Sequence, residues 1–209
     1  AQQHAVRGIE LVLRRGEERR LRAGHLWVFS NEVDVARTPL TGFQPGDPVM
    51  IVEAGGKPLG TGYVNPSTLI AARLVDRAGH ALDRSLVVHR LKVALSLRER
   101  LFAEPYYRLV FGESDGLPGL TVERFGDVVV AQATTAGMDR LREEITAAIL
   151  KVLEPSALLW KNDSGARAIE GLADSVELVH GRLDGPAIAR EGGVDFLCDL
   201  REGQKTGWF

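Results

Sequence analysis

Glycine and proline cut this chain into short pieces, and that limits what it can fold into. Twenty-three glycines and nine prolines are spread over 209 residues. Between them lie runs of four to seven residues in which apolar and polar side chains alternate, the pattern of half-buried strands. Only two stretches keep a helical apolar spacing over several turns, residues 84–103 and 138–152. A chain built this way is expected to be α+β, with many short strands and few helices.

Residues 9–14 read as a strand and residues 16–23 as a short helix stopped by Gly24. Residues 25–33 carry Trp27 and Phe29 on one face. Strands at 49–53 and 59–64 flank Ala54-Gly55-Gly56-Lys57, a hairpin turn in which glycine supplies positive φ. Gly60 and Gly62 kink the second of these strands, and residues 70–75 form another. Several short strands around one short helix predict a small barrel.

Asp83 is placed to cap the helix that begins at Arg84, and Pro105 closes it. This helix reads as a connector. Beyond it, strands are expected at 107–111, 120–124 and 128–133, followed by the amphipathic helix carrying Met138, Leu141, Ile145, Ala148, Ile149 and Val152. Strands at 157–161 and 176–180 complete a strand-strand-helix-strand-strand layer. Residues 187–200 read as a hairpin bent at Gly192-Gly193. The expected division is a barrel domain at 1–80, the connector at 81–105, an α+β domain at 106–184 and the hairpin at 185–209.

The net charge of −2 argues against indiscriminate binding of nucleic acid. Its distribution is uneven. Residues 1–90 hold twelve Lys/Arg against nine Asp/Glu, whereas residues 91–209 hold fourteen against nineteen. Arg7, Arg14, Arg15, Arg19, Arg20 and Arg22 crowd one stretch, and arginine suits bidentate contact with phosphate. Glu10, Glu17 and Glu18 dilute them, so a solvated face with local ion pairs is an equal reading. One cysteine, Cys198, excludes an internal disulfide and a cysteine-based zinc site, and the five histidines show no metal spacing. No apolar run reaches the roughly 20 residues of a membrane helix, and no secretory signal opens the chain. A cytoplasmic location is expected.

Four segments, in order, carry a resemblance. They are Gly24-His25-Leu26-Trp27-Val28-Phe29-Ser30, Gly60-Thr61-Gly62-Tyr63-Val64-Asn65-Pro66, Gly112-Glu113-Ser114-Asp115-Gly116-Leu117-Pro118-Gly119 and Gly203-Gln204-Lys205-Thr206-Gly207-Trp208-Phe209. Together they resemble the N-terminal half of a family of S-adenosylmethionine-dependent RNA methyltransferases that modify carbon 5 of a cytosine in large-subunit ribosomal RNA. The resemblance implies an N-terminal PUA-like barrel, a small α+β domain and a terminal hairpin that opens a Rossmann-like catalytic domain. The chain then reads as truncated before that domain, since it stops on Trp208 and Phe209, two large apolar residues with nothing to cover them. The catalytic cysteines are implied to lie in the missing domain, so the chain itself is expected to be inactive, with no catalytic residue of its own.

By the same resemblance, the short helix with Arg19, Arg20 and Arg22, together with His25 and Trp27, faces RNA. Trp27 and Phe29 are candidates to stack on bases, with at least one of them expected in the core. Arg167, after a strand and a turn, is a further candidate for a phosphate contact. Lys205, Thr206 and Gly207 are candidates for contact with S-adenosylmethionine. The implied partner is ribosomal RNA, with no membrane, and a homodimer is compatible with the sequence. A stand-alone RNA-binding or ribosome-assembly module without catalysis is the alternative. A small-molecule enzyme using the Glu113/Asp115 loop, as acid and base or as a magnesium site, ranks below both, because a turn satisfied by Asp and Ser explains the loop.

Two motif matches fail. Lys205-Thr206-Gly207 matches part of the penicillin-recognising set, but none of the eight serines has lysine three residues later. Gly203-Gln204-Lys205-Thr206 lacks the upstream glycine of a phosphate-binding loop.

Overall fold

A computed structural model describes residues 9–203 and Phe209. The N-terminal unit contains strands β1 (Ile9–Val12), β2 (Trp27–Phe29), β3 (Asp47–Val52), β4 (Pro58–Val64) and β5 (Ile70–Asp76), with helix α1 (Glu18–Arg22) between β1 and β2. They form one sheet in the order β1-β3-β4-β5-β2, with β1 and β3 parallel and the other neighbours antiparallel. The two edges then meet. Leu13 bridges Val33, and the Asp34 N–H donates to the Val12 carbonyl at 2.9 Å. That closure makes a barrel and leaves few exposed strand edges. Its interior is Leu11, Leu13, Leu21, Val28, Val33, Val49, Ile51, Val64 and Leu74, all nearly or fully buried.

The sequence pattern placed Trp27 and Phe29 on one face, and they do share one. It is the outward face: the residue between them, Val28, fills the barrel. At Gly60, φ is 144° and a Cβ would stand 2.3 Å from the Asp76 carbonyl oxygen, so the expected kink is a close approach of β4 to β5 that only glycine allows.

Helix α2 (Arg84–Leu101) follows, its N-terminus capped by Asp83, which accepts from the Leu86 N–H at 3.0 Å. The second sheet contains β6 (Tyr106–Phe111), β7 (Leu120–Phe125), β8 (Val128–Ala133), β9 (Ala157–Asn162) and β10 (Ser175–Gly181) in the order β10-β9-β8-β7-β6. All five strands expected here are present as β6 to β10, so three strands and not two precede the helical segment. Only β8 and β9 run parallel, because the helical segment crosses over between them. That segment is two helices, α3 (Ala136–Arg140) and α4 (Arg142–Leu153), broken at Leu141 where ψ is 8°. Helix α5 (Ala166–Ile169) follows β9 and carries Arg167.

Helices α2 and α4 cover one face of this sheet, over a core that includes Leu91, Leu109, Leu120, Ile145, Ile149 and Trp160. The hairpin of β11 (Ala187–Glu191) and β12 (Val194–Cys198) lies on the other face, packing Ala187 and Ala189 on Phe125, Val130 and Leu159. Phe209 packs there too, its ring centroid 5.3 Å from that of Phe125, so this residue is not left uncovered as expected from the sequence.

The barrel and the second sheet share a packed seam. The Tyr63 ring of β4 sits on Gly137 of α3, where a Cβ would come within 2.1 Å of it. The Tyr63 hydroxyl donates to the Pro118 carbonyl at 2.7 Å and lies 2.8 Å from Thr135 Oγ1. Burial holds this phenol well above its ordinary pKa. Beside it, Asn65 Nδ2 donates to Glu170 Oε2 at 2.8 Å, and Arg140 pairs with Asp47 at 2.5 Å.

Two expectations follow. Gly137→Ala should destabilise the chain by about 1–3 kcal/mol, the usual range for overpacking, read as a lower urea midpoint. The second concerns Asp76, at the exit of β5. Burial would raise its carboxyl pKa, but hydrogen bonds from the His80 backbone and ring, with Arg90 at 3.0 Å, outweigh this and hold it below the ordinary carboxylate range. A depressed native pKa stabilises the fold above the unfolded value of about 3.9 and loses that contribution as pH falls through the native value. Urea titrations from pH 6 to pH 2.5 should show this acid loss, and Asp76→Asn should reduce its steepness.

Candidate nucleic-acid interface

Helix α1 carries Arg19, Arg20 and Arg22 on a five-residue helix anchored by the fully buried Leu21. The structure separates the three. Arg20 pairs with Glu32 and lies over the Phe29 ring, 5.0 Å from its centroid. Arg22 pairs with Glu53. Arg19 is exposed and, among the described residues, makes no ion pair. The same holds for Arg14 and Arg15, in the turn that leads from β1 into α1. Among the described arginines of this stretch, the ones with unpaired guanidinium groups are therefore Arg14, Arg15 and Arg19.

His25 is exposed just beyond the helix, and its carbonyl and that of Leu21 accept hydrogen bonds from Arg77, at 3.2 and 2.7 Å. Arg77 thus caps the C-terminal end of α1, where a cation also complements the helix dipole. Trp27 follows in the edge strand β2 and is 40% exposed. Its indole N–H donates to Glu113 Oε1 at 2.7 Å, and the Arg73 guanidinium carbon lies 5.3 Å from the ring centroid. His25 and Trp27 follow α1 within five residues of its end.

Arg167 is a correction. It is 3% exposed, and its guanidinium points inward. It donates to the carbonyls of Ala133 and Ala173 and pairs with Asp139 at 2.9 Å. These groups use its donors, so no phosphate contact remains for it. Lys205, Thr206 and Gly207 lie outside the described residues.

The Glu113/Asp115 loop is a 3-10 turn braced by arginines. Asp115 takes both terminal nitrogens of Arg98, one at 2.8 Å, and accepts the Phe111 N–H at 2.7 Å. Glu113 takes Arg73 at 3.0 Å as well as Trp27. Carboxylates so engaged are not presented as a free acid and base pair. Among the described residues, no group of three or more His, Cys, Asp or Glu is arranged to hold a metal ion. No helix among them is long and apolar enough to cross a membrane.

At the parallel β8–β9 crossover, strand β8 runs into helix α3. The crossover is filled. The Ala136 N–H at the start of α3 donates to Glu170 Oε2 at 3.1 Å, and Tyr63 covers Gly137. That helix terminus therefore offers no open cradle for an adenosine-type cofactor. Burial pushes the Cys198 thiol up, away from the thiolate.

Sequence reasoning missed Arg73, Tyr63 and Glu170, which join the seam to this face. Each is an ordinary strand or turn residue in the sequence, and their partners are 40 or more positions away.

Comparison with known proteins agrees with this architecture. Residues 11–77 match the model of a PUA-like domain. The chain is 34% identical over 209 residues to the ribosomal RNA large subunit methyltransferase I of Shewanella denitrificans, covering 96% of this chain and 51% of that protein. It is 35% identical over 207 residues to the protein of that name from Erwinia tasmaniensis, with the same coverage. The chain thus spans about half the length of the relatives it matches. Among solved structures, a putative SAM-dependent methyltransferase from Streptococcus mutans superposes with a TM-score of 0.77 at 19% identity, over 96% of this chain and 51% of that one. A putative methyltransferase complexed with SAH superposes with a TM-score of 0.76 at 18% identity, over 93% and 49%.

Arg167→Ala should cost about 3 kcal/mol of stability, as expected when a buried charge pair is broken. The loss should appear as a lower urea midpoint, measured by chemical denaturation. The fold is α+β, with a PUA-like barrel at the N-terminus joined through a packed seam to a five-stranded layer.

Proposed function

We propose that this chain is the RNA-gripping, substrate-orienting part of an S-adenosylmethionine-dependent methyltransferase that modifies ribosomal RNA, at carbon 5 of a cytosine in the large subunit. The observation that carries this reading is the likeness to large-subunit rRNA methyltransferases over 96% of the chain, through the barrel and the second layer alike. The exposed Arg14, Arg15 and Arg19 beside His25 and Trp27 support an RNA contact on that barrel. Chemistry at carbon 5 of cytosine calls for a thiolate that adds to carbon 6, and neither the thiol of Cys198 nor the filled α3 terminus supports that step here. On this reading the chain contributes binding energy remote from the reacting atoms, which positions the base for a catalytic half that also holds the cofactor. The proposed units are the barrel at 1–80, the connector at 81–105, the α+β layer at 106–184 and the hairpin from 185.

The test is binding of the chain to an in-vitro transcribed large-subunit rRNA fragment over a salt series, with labelled S-adenosylmethionine present. Binding that weakens with salt, without methyl transfer by this chain, is expected. Replacing Arg14, Arg15 and Arg19 together with alanine should flatten the slope of log affinity against log salt by about 2–3, at roughly 0.7–0.9 per phosphate contact. Replacing Arg20 and Arg22 should change the slope less, because each already faces a carboxylate. An unchanged slope in the first variant would remove the arginines from the interface, and no RNA binding by the parent chain would remove the reading itself.

A further inference from the structure

Trp27 is exposed but not free to move. Three contacts fix it, and a fourth ties two of its partners together. Its backbone pairs with Arg73 in the β2–β5 ladder, its indole N–H is held by Glu113, the Arg73 guanidinium lies over its ring, and Arg73 is itself held by Glu113 at 3.0 Å. Arg73 also approaches Glu170 Oε1 at 3.7 Å, and Glu170 Oε2 accepts from Asn65 Nδ2 and from the Ala136 N–H. A chain of charge-assisted contacts thus runs from the ring across the seam to the start of α3. Glu113 belongs to the second layer, so the orientation of a barrel tryptophan is set by the other half of the molecule.

An exposed indole carries a large apolar surface, and leaving it in water is unfavourable unless something covers it. Ordering it in advance removes the entropy that a mobile side chain would lose on binding. Both features suit a stacking surface for a planar ring. In RNA, a base is open to stacking only where it is unpaired, because bases in a duplex are already stacked on their neighbours.

Building on the RNA-binding reading above, we propose that Trp27 is a preset stacking platform for one unpaired RNA base, and that Glu113 and Arg73 are positioning residues that hold it across the seam. The contact is with the base and not the phosphate, so its loss should lower affinity while the salt dependence stays the same. The Arg14, Arg15 and Arg19 set should behave in the opposite way.

The experiment is titration of the chain with a 12-nucleotide oligouridylate and with a 12-base-pair RNA duplex, followed by tryptophan fluorescence and by filter binding at three salt concentrations. A Trp208→Phe background leaves Trp27 and the buried Trp160. Single-stranded RNA should quench the emission, and the duplex should not. Trp27→Ala should weaken oligouridylate binding at least fivefold, the low end for loss of one base–aromatic stack, with the salt slope kept. Glu113→Ala should weaken it in the same direction, and Glu113→Gln, which keeps an acceptor for the indole, should recover part of the loss. In the Trp27→Ala background, Glu113→Ala should have no further effect, because the residue it positions is gone. Additive losses would make Glu113 a merely structural residue and overturn its assignment. Binding and quenching unaltered by Trp27→Ala, with the parent still bound in a salt-dependent way, would overturn the platform while leaving the RNA-binding reading intact. Absence of any binding by the parent chain would overturn both.

Discussion

The seating of Tyr63 on Gly137 is the contact on which the rest of this structure depends. A ring from the barrel occupies the space that a side chain at the start of α3 would need, and its hydroxyl is held by Pro118 and Thr135 of the second layer. Changing either the glycine or the ring would loosen a seam that Val75 and several polar pairs also hold. Those pairs, Asn65 with Glu170 and Arg140 with Asp47, gain from the apolar contact because it excludes water beside them. The seam also fixes where Glu113 stands relative to β2, and so fixes the indole of Trp27.

Charge is distributed unequally over the arginines that crowd the first part of the chain. Arg20 and Arg22 are paired within the barrel, and their carboxylate partners come from the turn after β2 and from the end of β3. Arg14, Arg15 and Arg19 are left to solvent. A phosphate competes poorly for a guanidinium that already has a carboxylate, and well for one that does not. The same reasoning removes Arg167 from the interface. Its burial beneath Ala133 and Ala173 makes it a brace between β8, α3 and the loop after α5.

Much of the fold was legible because it rests on local rules. The Asp83 cap, the Gly-rich turn at 54–57, the hairpin bent at Gly192-Gly193 and the apolar spacing of α2 and α4 each depend on residues within a few positions of one another. The break at Leu141 was not legible, because its apolar position continues the helical spacing and only the backbone departs from it. Nor was the inward turn of Val28. From the sequence at least one of the two flanking aromatic residues is expected in the core, yet Val28 is the residue that fills the barrel.

The sequence by itself determined the order of the strands and the two main helical segments, the α+β class, and the crowding of arginine and aromatic residues at 14–29, since periodicity, caps and turn residues act over short distances. The tertiary structure alone decided which arginines remain unpaired, that Arg167 is buried, and that Glu113 holds Trp27. These outcomes depend on partners between 12 and 86 positions apart in the chain. No local pattern encodes such pairs. They exist only after the barrel closes and the seam brings the two sheets together, because ion pairing and burial depend on distance in space.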